Sequence, residues 1–178
     1  MNLKQHFHFC IAGSMLAYLT CCHVMYADSQ TQNKCRIHEE SMQTETGLVK
    51  ANILDFSKKI TKPREYLLYY WFQDNNIKIS VGGFSGKLLH GKYSSFYPSK
   101  NLKELGNFCF GLKNGTWKKW YENGVLNTSV VFQNGIKQGV YKEYDIAGNL
   151  YILGRYRKGQ LQGHYRTFKD GKVVKKYI

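Results

Sequence analysis

The sequence predicts an all-β fold of stacked β-hairpins, and three regularities carry this prediction. Glycine recurs every 24 residues, and aromatic residues follow each glycine by two and by five positions. Asn-Gly and Asp-Gly pairs separate runs rich in aromatic and β-branched residues, as in β-hairpins. Because one hairpin is marginally stable alone, we expect the repeats to stack and bury their aromatic columns. The residues that define the repeat are Gly91, Tyr93, Phe96, Gly115, Trp117, Trp120, Gly139, Tyr141, Tyr144, Gly163, Tyr165 and Phe168.

Residues 1–27 are predicted to be a signal peptide or lipoprotein leader. Lys4 gives a basic start, the stretch from Phe7 to Leu19 is largely apolar, and no charged residue follows Lys4 until Asp28. Three fates remain open: cleavage after Ala27, lipidation of Cys22 in a lipobox-like sequence, or retention as a membrane anchor. Each fate predicts an exported protein, whether periplasmic, an outer-membrane lipoprotein or secreted.

Residues 28–66 are predicted to be a spacer followed by an N-terminal cap. Glu39, Glu40 and Glu45 make residues 37–46 the one clearly acidic patch. Residues 52–62 have apolar positions near helical spacing, so they predict either an amphipathic helix ended by Pro63 or a strand that covers the first hairpin. The hydrophobic stretch 66–72 is expected to form the strand that opens the array.

Each repeat is interpreted as one hairpin closed at a glycine-containing turn. Asn123-Gly124 is assigned to a two-residue type I′ turn, and Asp170-Gly171 to the equivalent turn of the last repeat. Asn134-Gly135 is placed in a link between hairpins. The two aromatic columns lie three residues apart, so a regular strand would send them to opposite faces. Either both faces carry aromatic rings, or a β-bulge near the glycine realigns the columns.

The best-preserved unit reads Gly-Thr-Trp-Lys-Lys-Trp-Tyr-Glu-Asn-Gly, followed by Val-Val-Phe-Gln-Asn-Gly-Ile-Lys-Gln-Gly. It resembles the variant MORN repeat, and the resemblance extends over residues 67–178, the predicted repeat domain. Bacterial chains of this kind are commonly labelled YwqK-like antitoxins. The resemblance implies a meandering antiparallel sheet that serves as a binding or scaffolding surface.

The charge is strongly positive and concentrated near the C-terminus. The full chain has a formal net charge of +14. A basic end of this kind would attract anionic lipid, a surface polymer or an acidic protein, whereas nucleic acid is not expected outside the cytoplasm. The alternative is a solvated edge that prevents aggregation. The predicted binding surface comprises Arg155, Arg157, Lys158, Arg166, Lys169, Lys172, Lys175 and Lys176.

The chemical motifs favour binding over catalysis. The sequence contains no nucleophile elbow, phosphate-binding loop or zinc spacing, so we expect no enzyme activity, cofactor or metal. Outside the leader, Cys35 and Cys109 would be able to pair in an oxidising compartment. The leading hypothesis is an exported, non-enzymatic surface that recruits a protein or another envelope component. The alternatives are binding of anionic lipid or surface polymer through the basic end, and an immunity role against a toxin.

Overall fold

Thirteen antiparallel β-strands form one open sheet in the part of the chain that the structure describes. The structure, a computed structural model, describes residues 36–55, 62–162 and 165–177, with residues 176 and 177 by their backbone alone. The all-β prediction is therefore confirmed. The strands are β1 (Ile37–Thr44), β2 (Gly47–Leu54), β3 (Leu68–Gln73), β4 (Asn76–Val81), β5 (Lys87–Phe96), β6 (Leu102–Cys109), β7 (Leu112–Trp120), β8 (Leu126–Gln133), β9 (Ile136–Tyr144), β10 (Leu150–Arg157), β11 (Gln160–Leu161), β12 (Tyr165–Lys169) and β13 (Lys172–Tyr177).

Most strands follow one another across the sheet as a meander. The main path runs β1-β2-β5-β6-β7-β8-β9-β10-β12-β13, and every neighbouring pair is antiparallel. The β3–β4 hairpin lies off this path, because β3 meets β5 only at the pairs Trp71↔Leu88 and Phe72↔Lys87. The strand expected over 66–72 thus forms as β3, but the meander reaches β5 from β2.

The N-terminal segment adds a hairpin to the sheet. Residues 52–54 belong to β2, so the helix expected over 52–62 is wrong where the structure describes it, and the strand interpretation is correct there. Strand β2 pairs with β1 over its whole length and with β5 on its other edge. The alternating buried positions of β1 and β2 explain the strand, since one face of each packs on the core.

Two kinds of turn alternate along the repeats. Residues 110–111, 134–135 and 158–159 form two-residue turns with positive φ at both positions, as a type I′ turn requires. The loop at Asn123-Gly124 is longer, with Tyr121 N–H donating to the Val125 carbonyl at 2.9 Å and positive φ at Gly124 but not at Asn123. The type I′ assignment at Asn123-Gly124 is therefore wrong. Asp170-Gly171, with φ values of 51° and 73°, belongs to the tight class instead.

The glycine column marks a series of β-bulges. Gly91, Gly115 and Gly139 have φ values of 104°, 73° and 77°, a backbone conformation that residues other than glycine rarely adopt. The pairing register shifts beside each of these glycines, in β2–β5, β6–β7 and β8–β9. A second shift, between Lys119 and Trp120, separates the two aromatic columns. The bulges beside the glycines do not realign the two columns, because the β7–β8 pairing is regular from Gly115 to Lys119. Gly163 lies outside the described residues.

The core lies at the N-terminal end of the array. One cluster joins the buried side chains of Met42, Ala51, Ile53, Leu89, Phe108 and Trp117. Tyr70, Phe72 and Ile77 of the β3–β4 hairpin pack against this cluster, so the hairpin forms a second layer over the sheet there. Within the described residues, no buried hydrophobic side chain follows Trp117. Strands β8–β13 therefore form a more open part of the sheet.

Side chains tie successive repeats together at both ends of the strands. His90, Asn114 and Gln138 each accept a hydrogen bond from a backbone N–H in the next tight turn, at 3.2, 3.3 and 2.9 Å. At the other end, the hydroxyls of Tyr97 and Tyr121 donate to the carbonyls of residues 120 and 144, at 2.8 and 3.0 Å. Each repeat thus satisfies polar backbone groups of the next one.

Candidate binding surfaces

The strands of the repeats present two chemically different faces. Alternation and cross-strand pairing put Tyr93, Phe108, Trp117, Phe132, Tyr141 and Tyr156 on one side, which we call the aromatic face. The opposite side, which we call the basic face, carries Lys92, Lys118, Lys142, Arg155, Arg157 and Arg166.

The best-packed part of the aromatic face surrounds Lys113. Its Nζ lies 3.7 Å from the centroid of the Trp117 ring and 2.9 Å from Glu104 Oε1. The side chains of Lys113 and Glu104 are only 15% and 16% exposed, so this ion pair is largely shielded from solvent. Burial lowers the pKa of Lys113, while the carboxylate of Glu104 acts in the opposite direction. The cation–π contact and the ion pair hold the lysine among the rings.

The pKa values of Tyr93 and Tyr141 on the aromatic face are both raised. Burial raises the pKa of Tyr93 to about 12, and the charge of Glu104 acts in the same direction. Burial and the carboxylate of Glu143 raise the pKa of Tyr141, whose hydroxyl donates to Glu143 Oε2 at 2.6 Å. Both pKa values lie further above neutral pH than that of a free tyrosine, so both hydroxyls keep their protons and can donate hydrogen bonds within the packed face.

A shallow depression lies at the loop end of the aromatic face. Its volume is about 220 Å³, and Trp120 lines it together with the ion-paired Glu104. Trp120 is only half-buried there, whereas Trp117 is buried in the core. The two aromatic columns therefore differ in role, because one packs the core and the other borders an open surface. The complete lining is Tyr97, Lys103, Glu104, Lys119, Trp120, Tyr121 and Asn127.

The basic face contains a column of cations that follows the repeat. Lys118, Ser129, Lys142, Leu153 and Arg166 are successive cross-strand neighbours. The three cations lie on every second strand of this row, so they recur about 10 Å apart at the usual strand spacing. All three side chains are exposed. The two carboxylates in strands β5–β12, Glu104 and Glu143, lie on the aromatic face.

The structure divides the basic residues predicted near the C-terminus. Arg155, Arg157 and Arg166 lie on the basic face, and all three are exposed. Lys158 lies in a tight turn, while Lys169 and Lys172 flank the turn between β12 and β13. Lys175 is exposed on β13, and the side chain of Lys176 lies outside the described residues. The predicted set is therefore spread over one face, two turns and one sheet edge.

The remaining predicted residues have separate fates. Cys22 and Cys35 lie outside the described residues, so lipidation and the disulfide with Cys109 stay predictions. Cys109 is buried at the end of β6. In the glycine-plus-five column, Phe96, Tyr144 and Phe168 are partly buried like Trp120. In the glycine-plus-two column, Tyr165 is partly buried, at the open end of the array.

Sequence reasoning missed residues that carry much of both faces. Lys113 and Lys137, which share one repeat position, were not singled out, although Lys137 Nζ lies 4.9 Å from the centroid of the Tyr156 ring. Lys118, Lys142 and Arg166 occupy the third position after successive glycines, and only Arg166 was predicted. A search for periodic charge, alongside periodic aromatic residues, would have found both series.

Among the residues that the structure describes, no helix has the length and apolar content needed to cross a bilayer. No cluster of three or more His, Cys, Asp or Glu side chains within the described ranges is arranged to hold a metal ion.

Comparison with known proteins assigns the repeat unit. The family model described as the MORN repeat variant matches residues 89–109 and 113–134. No curated protein and no solved structure matches the chain significantly. The first match covers most of β5 and all of β6, and the second covers most of β7 and all of β8, so each spans one hairpin closed by a longer loop. Residues 89–134 therefore contain two matches to the MORN repeat variant, a repeat type that suggests a binding role.

Proposed function

We propose that this chain is an exported, non-enzymatic binding protein whose basic face attaches it to an anionic lipid surface of the cell envelope. The observation that carries the proposal is the exposed column of Lys118, Lys142 and Arg166. Export rests on the predicted leader, and the binding role is the one that MORN repeats suggest.

The composition of the basic face supports a membrane ligand. Leu105 and Val140, which lie on this face, are 42% and 44% exposed, so apolar side chains stand among the cations. Surfaces that combine Lys or Arg with exposed apolar groups suit the interface of an anionic bilayer. Each cation near such a surface contributes about 1 kcal/mol, so the column would contribute about 3 kcal/mol.

The test is binding of the full chain to vesicles of phosphatidylglycerol and phosphatidylcholine, with phosphatidylcholine vesicles as the reference. Changing Lys118, Lys142 and Arg166 to Gln should weaken binding about 100-fold, because about 3 kcal/mol is lost. The matched control changes Lys158, Lys169 and Lys172 to Gln, which removes the same charge from the C-terminal turns.

Each outcome of the vesicle experiment has a clear meaning. A large loss in the column variant and a small loss in the control would support the basic face. Equal losses would place binding in overall charge or in the C-terminal end, and unchanged binding in both variants would refute the proposal. Raising the salt concentration should weaken wild-type binding, since exposed charges are screened within about 8–10 Å.

A second candidate function is capture of a partner protein by the open part of the aromatic face. It is favoured by the partly exposed rings of Tyr141 and Tyr156, which are not part of the core cluster. Tyrosine is enriched in protein interfaces, and Lys137 and Glu143 would supply polar contacts around the rings. A photo-crosslinker placed at Tyr156 should then label one protein in cells, whereas a crosslinker at Val140 on the basic face should not. Labelling of lipid alone, or of no molecule, at Tyr156 would contradict this second function.

A further inference from the structure

The two outer strands of the main path carry opposite charge. Strand β1 contains Glu39 and Glu40 and no lysine or arginine. Strand β13 has the sequence KVVKKY, with lysines at positions 172, 175 and 176 and no acidic residue. In the described residues β1 pairs only with β2, and β13 pairs only with β12. Each strand therefore has an edge that pairs with no other strand in the part of the chain that the structure describes.

The strand count makes these edges compatible in direction. The main path contains ten strands, β1-β2-β5-β6-β7-β8-β9-β10-β12-β13, and each runs antiparallel to the next. Because this number is even, β13 runs opposite to β1. A second copy added by a shift along the sheet would therefore meet β13 with an antiparallel β1. Such a contact would continue the meander from one copy to the next.

We propose that copies of this chain associate head to tail, with the acidic edge β1 of one copy pairing with the basic edge β13 of the next. Opposite charges on paired strands stabilise the pairing, whereas like charges directly opposite each other destabilise it. Pairing of β13 with β13, or of β1 with β1, is thus disfavoured. A contact between two different surfaces does not close on itself by a two-fold axis, so it permits chains longer than a dimer.

Exposed side chains at both edges also favour this contact. Ile37 on β1 is 44% exposed, and Val173 and Val174 on β13 are 53% and 63% exposed. Pairing of the two edges would remove part of this apolar surface from water, in addition to forming backbone hydrogen bonds. The second copy is therefore matched to the edge by charge, strand direction and apolar surface.

The test compares the sedimentation of full-length chains in the form that the cell produces, without lipid vesicles. The wild type should form dimers and longer species as its concentration rises. The acidic-edge variant, Glu39→Lys with Glu40→Lys, and the basic-edge variant, Lys172→Glu with Lys175→Glu, should each sediment as monomers. An equimolar mixture of the two variants should associate again, because each acidic edge then meets a basic one. One chain that carries all four changes should also associate with itself.

Two controls separate edge pairing from loss of folding and from general charge effects. Lys118→Glu with Lys142→Glu makes the same charge change on the basic face and should leave association intact. Ser41→Pro removes a backbone N–H that points away from β2, since Arg36 and Asp55 form a hydrogen-bonded pair and such pairs alternate along the strand. This uncharged change should abolish association, and Pro is tolerated at such an edge position.

Thermal unfolding verifies that each variant folds, which matters for Glu40 because it contacts His38 at 3.0 Å. A monomeric wild type at high concentration would overturn the proposal. Folded single variants that associate like the wild type would overturn it as well, as would a mixture that stays monomeric. None of these outcomes depends on lipid binding, so this proposal and the proposed function can fail independently.

Discussion

Replacing Trp117 by alanine is the strongest test of the repeat packing. Trp117 is 2% exposed and lies within the main core cluster. Its ring centroid is 4.9 Å from that of Phe108, 5.4 Å from that of Tyr93 and 6.4 Å from that of Phe132. The substitution therefore removes one large side chain that joins three strands and leaves a cavity among rings that cannot fully close it.

The magnitude follows from this burial. Tryptophan-to-alanine changes in cores cost about 3–5 kcal/mol. For a chain of this size, about 1 kcal/mol lowers the melting temperature by about 2–4 °C, so we expect a decrease of roughly 6–20 °C. Tyr141 occupies the equivalent position of the next repeat but is only partly buried. Tyr141→Ala should therefore cost less than half as much.

The assay is thermal and denaturant unfolding, followed by circular dichroism, of the wild type, Trp117→Ala, Tyr141→Ala and Lys118→Ala. Lys118 is exposed on the basic face, and its substitution should change stability by about 0.5 kcal/mol or less. Equal losses at Trp117 and Lys118 would refute the packing argument. Equal losses at Trp117 and Tyr141 would refute the inference that the core ends near Trp117.

Three further predictions address other parts of the chain. Burial lowers the pKa of His90, whose Nδ1 accepts the Phe110 N–H at 3.2 Å. The unfolded chain therefore binds the proton more readily than the folded one, so stability should fall as the pH drops through about 6.5. His90→Gln, which copies Gln138 of a later repeat, should flatten this pH dependence as measured by denaturant titration. Gly106→Ala should cost about 1–3 kcal/mol in unfolding experiments, because its Cβ would lie 2.3 Å from the Trp117 ring, whereas the equivalent Gly154→Ala first meets the flexible Leu161 at 2.9 Å and should cost less. Mass spectrometry of the chain from its cells should find the leader cleaved after Ala27, lipid on Cys22, or the intact chain in the membrane, and an unprocessed chain in the cytoplasm would contradict export.

The repeat architecture was predictable because its determinants are local. Positive φ at Gly115 and Gly139 favours glycine strongly, so the bulges leave a visible period in the sequence. The place of the β3–β4 hairpin was harder to predict, because Tyr69 and Phe72 keep the aromatic period of the repeats. Leu67 stands at the glycine position there, and the strand pairs away from the main path.

The turn types were less predictable, because Asn-Gly suits two kinds of hairpin loop. In the longer loop, Asn123 Oδ1 accepts the Val125 N–H at 3.1 Å, and only Gly124 has positive φ. At Asn134-Gly135 the same residue pair forms a tight turn, with φ values of 49° and 81°. The surrounding strand register decides between them, and the register depends on bulges elsewhere in the sheet. The cations of the basic face, in contrast, recur with the same period in the sequence, but the net charge of a segment does not reveal that period.

Because the core lies at one end of the array, the ease of local opening should differ between the two ends of the sheet. Strands near Leu89 and Trp117 are held by packing from two layers, whereas strands beyond them depend mainly on their neighbours. Local opening is easiest where few apolar contacts are buried. Amide protons of β12 and β13 should therefore exchange with solvent first, and protection should increase towards β5 and β6. A ligand that binds across the later strands would slow this opening. By suppressing states in which the C-terminal strands are open, it would also stabilise neighbouring repeats that it does not touch.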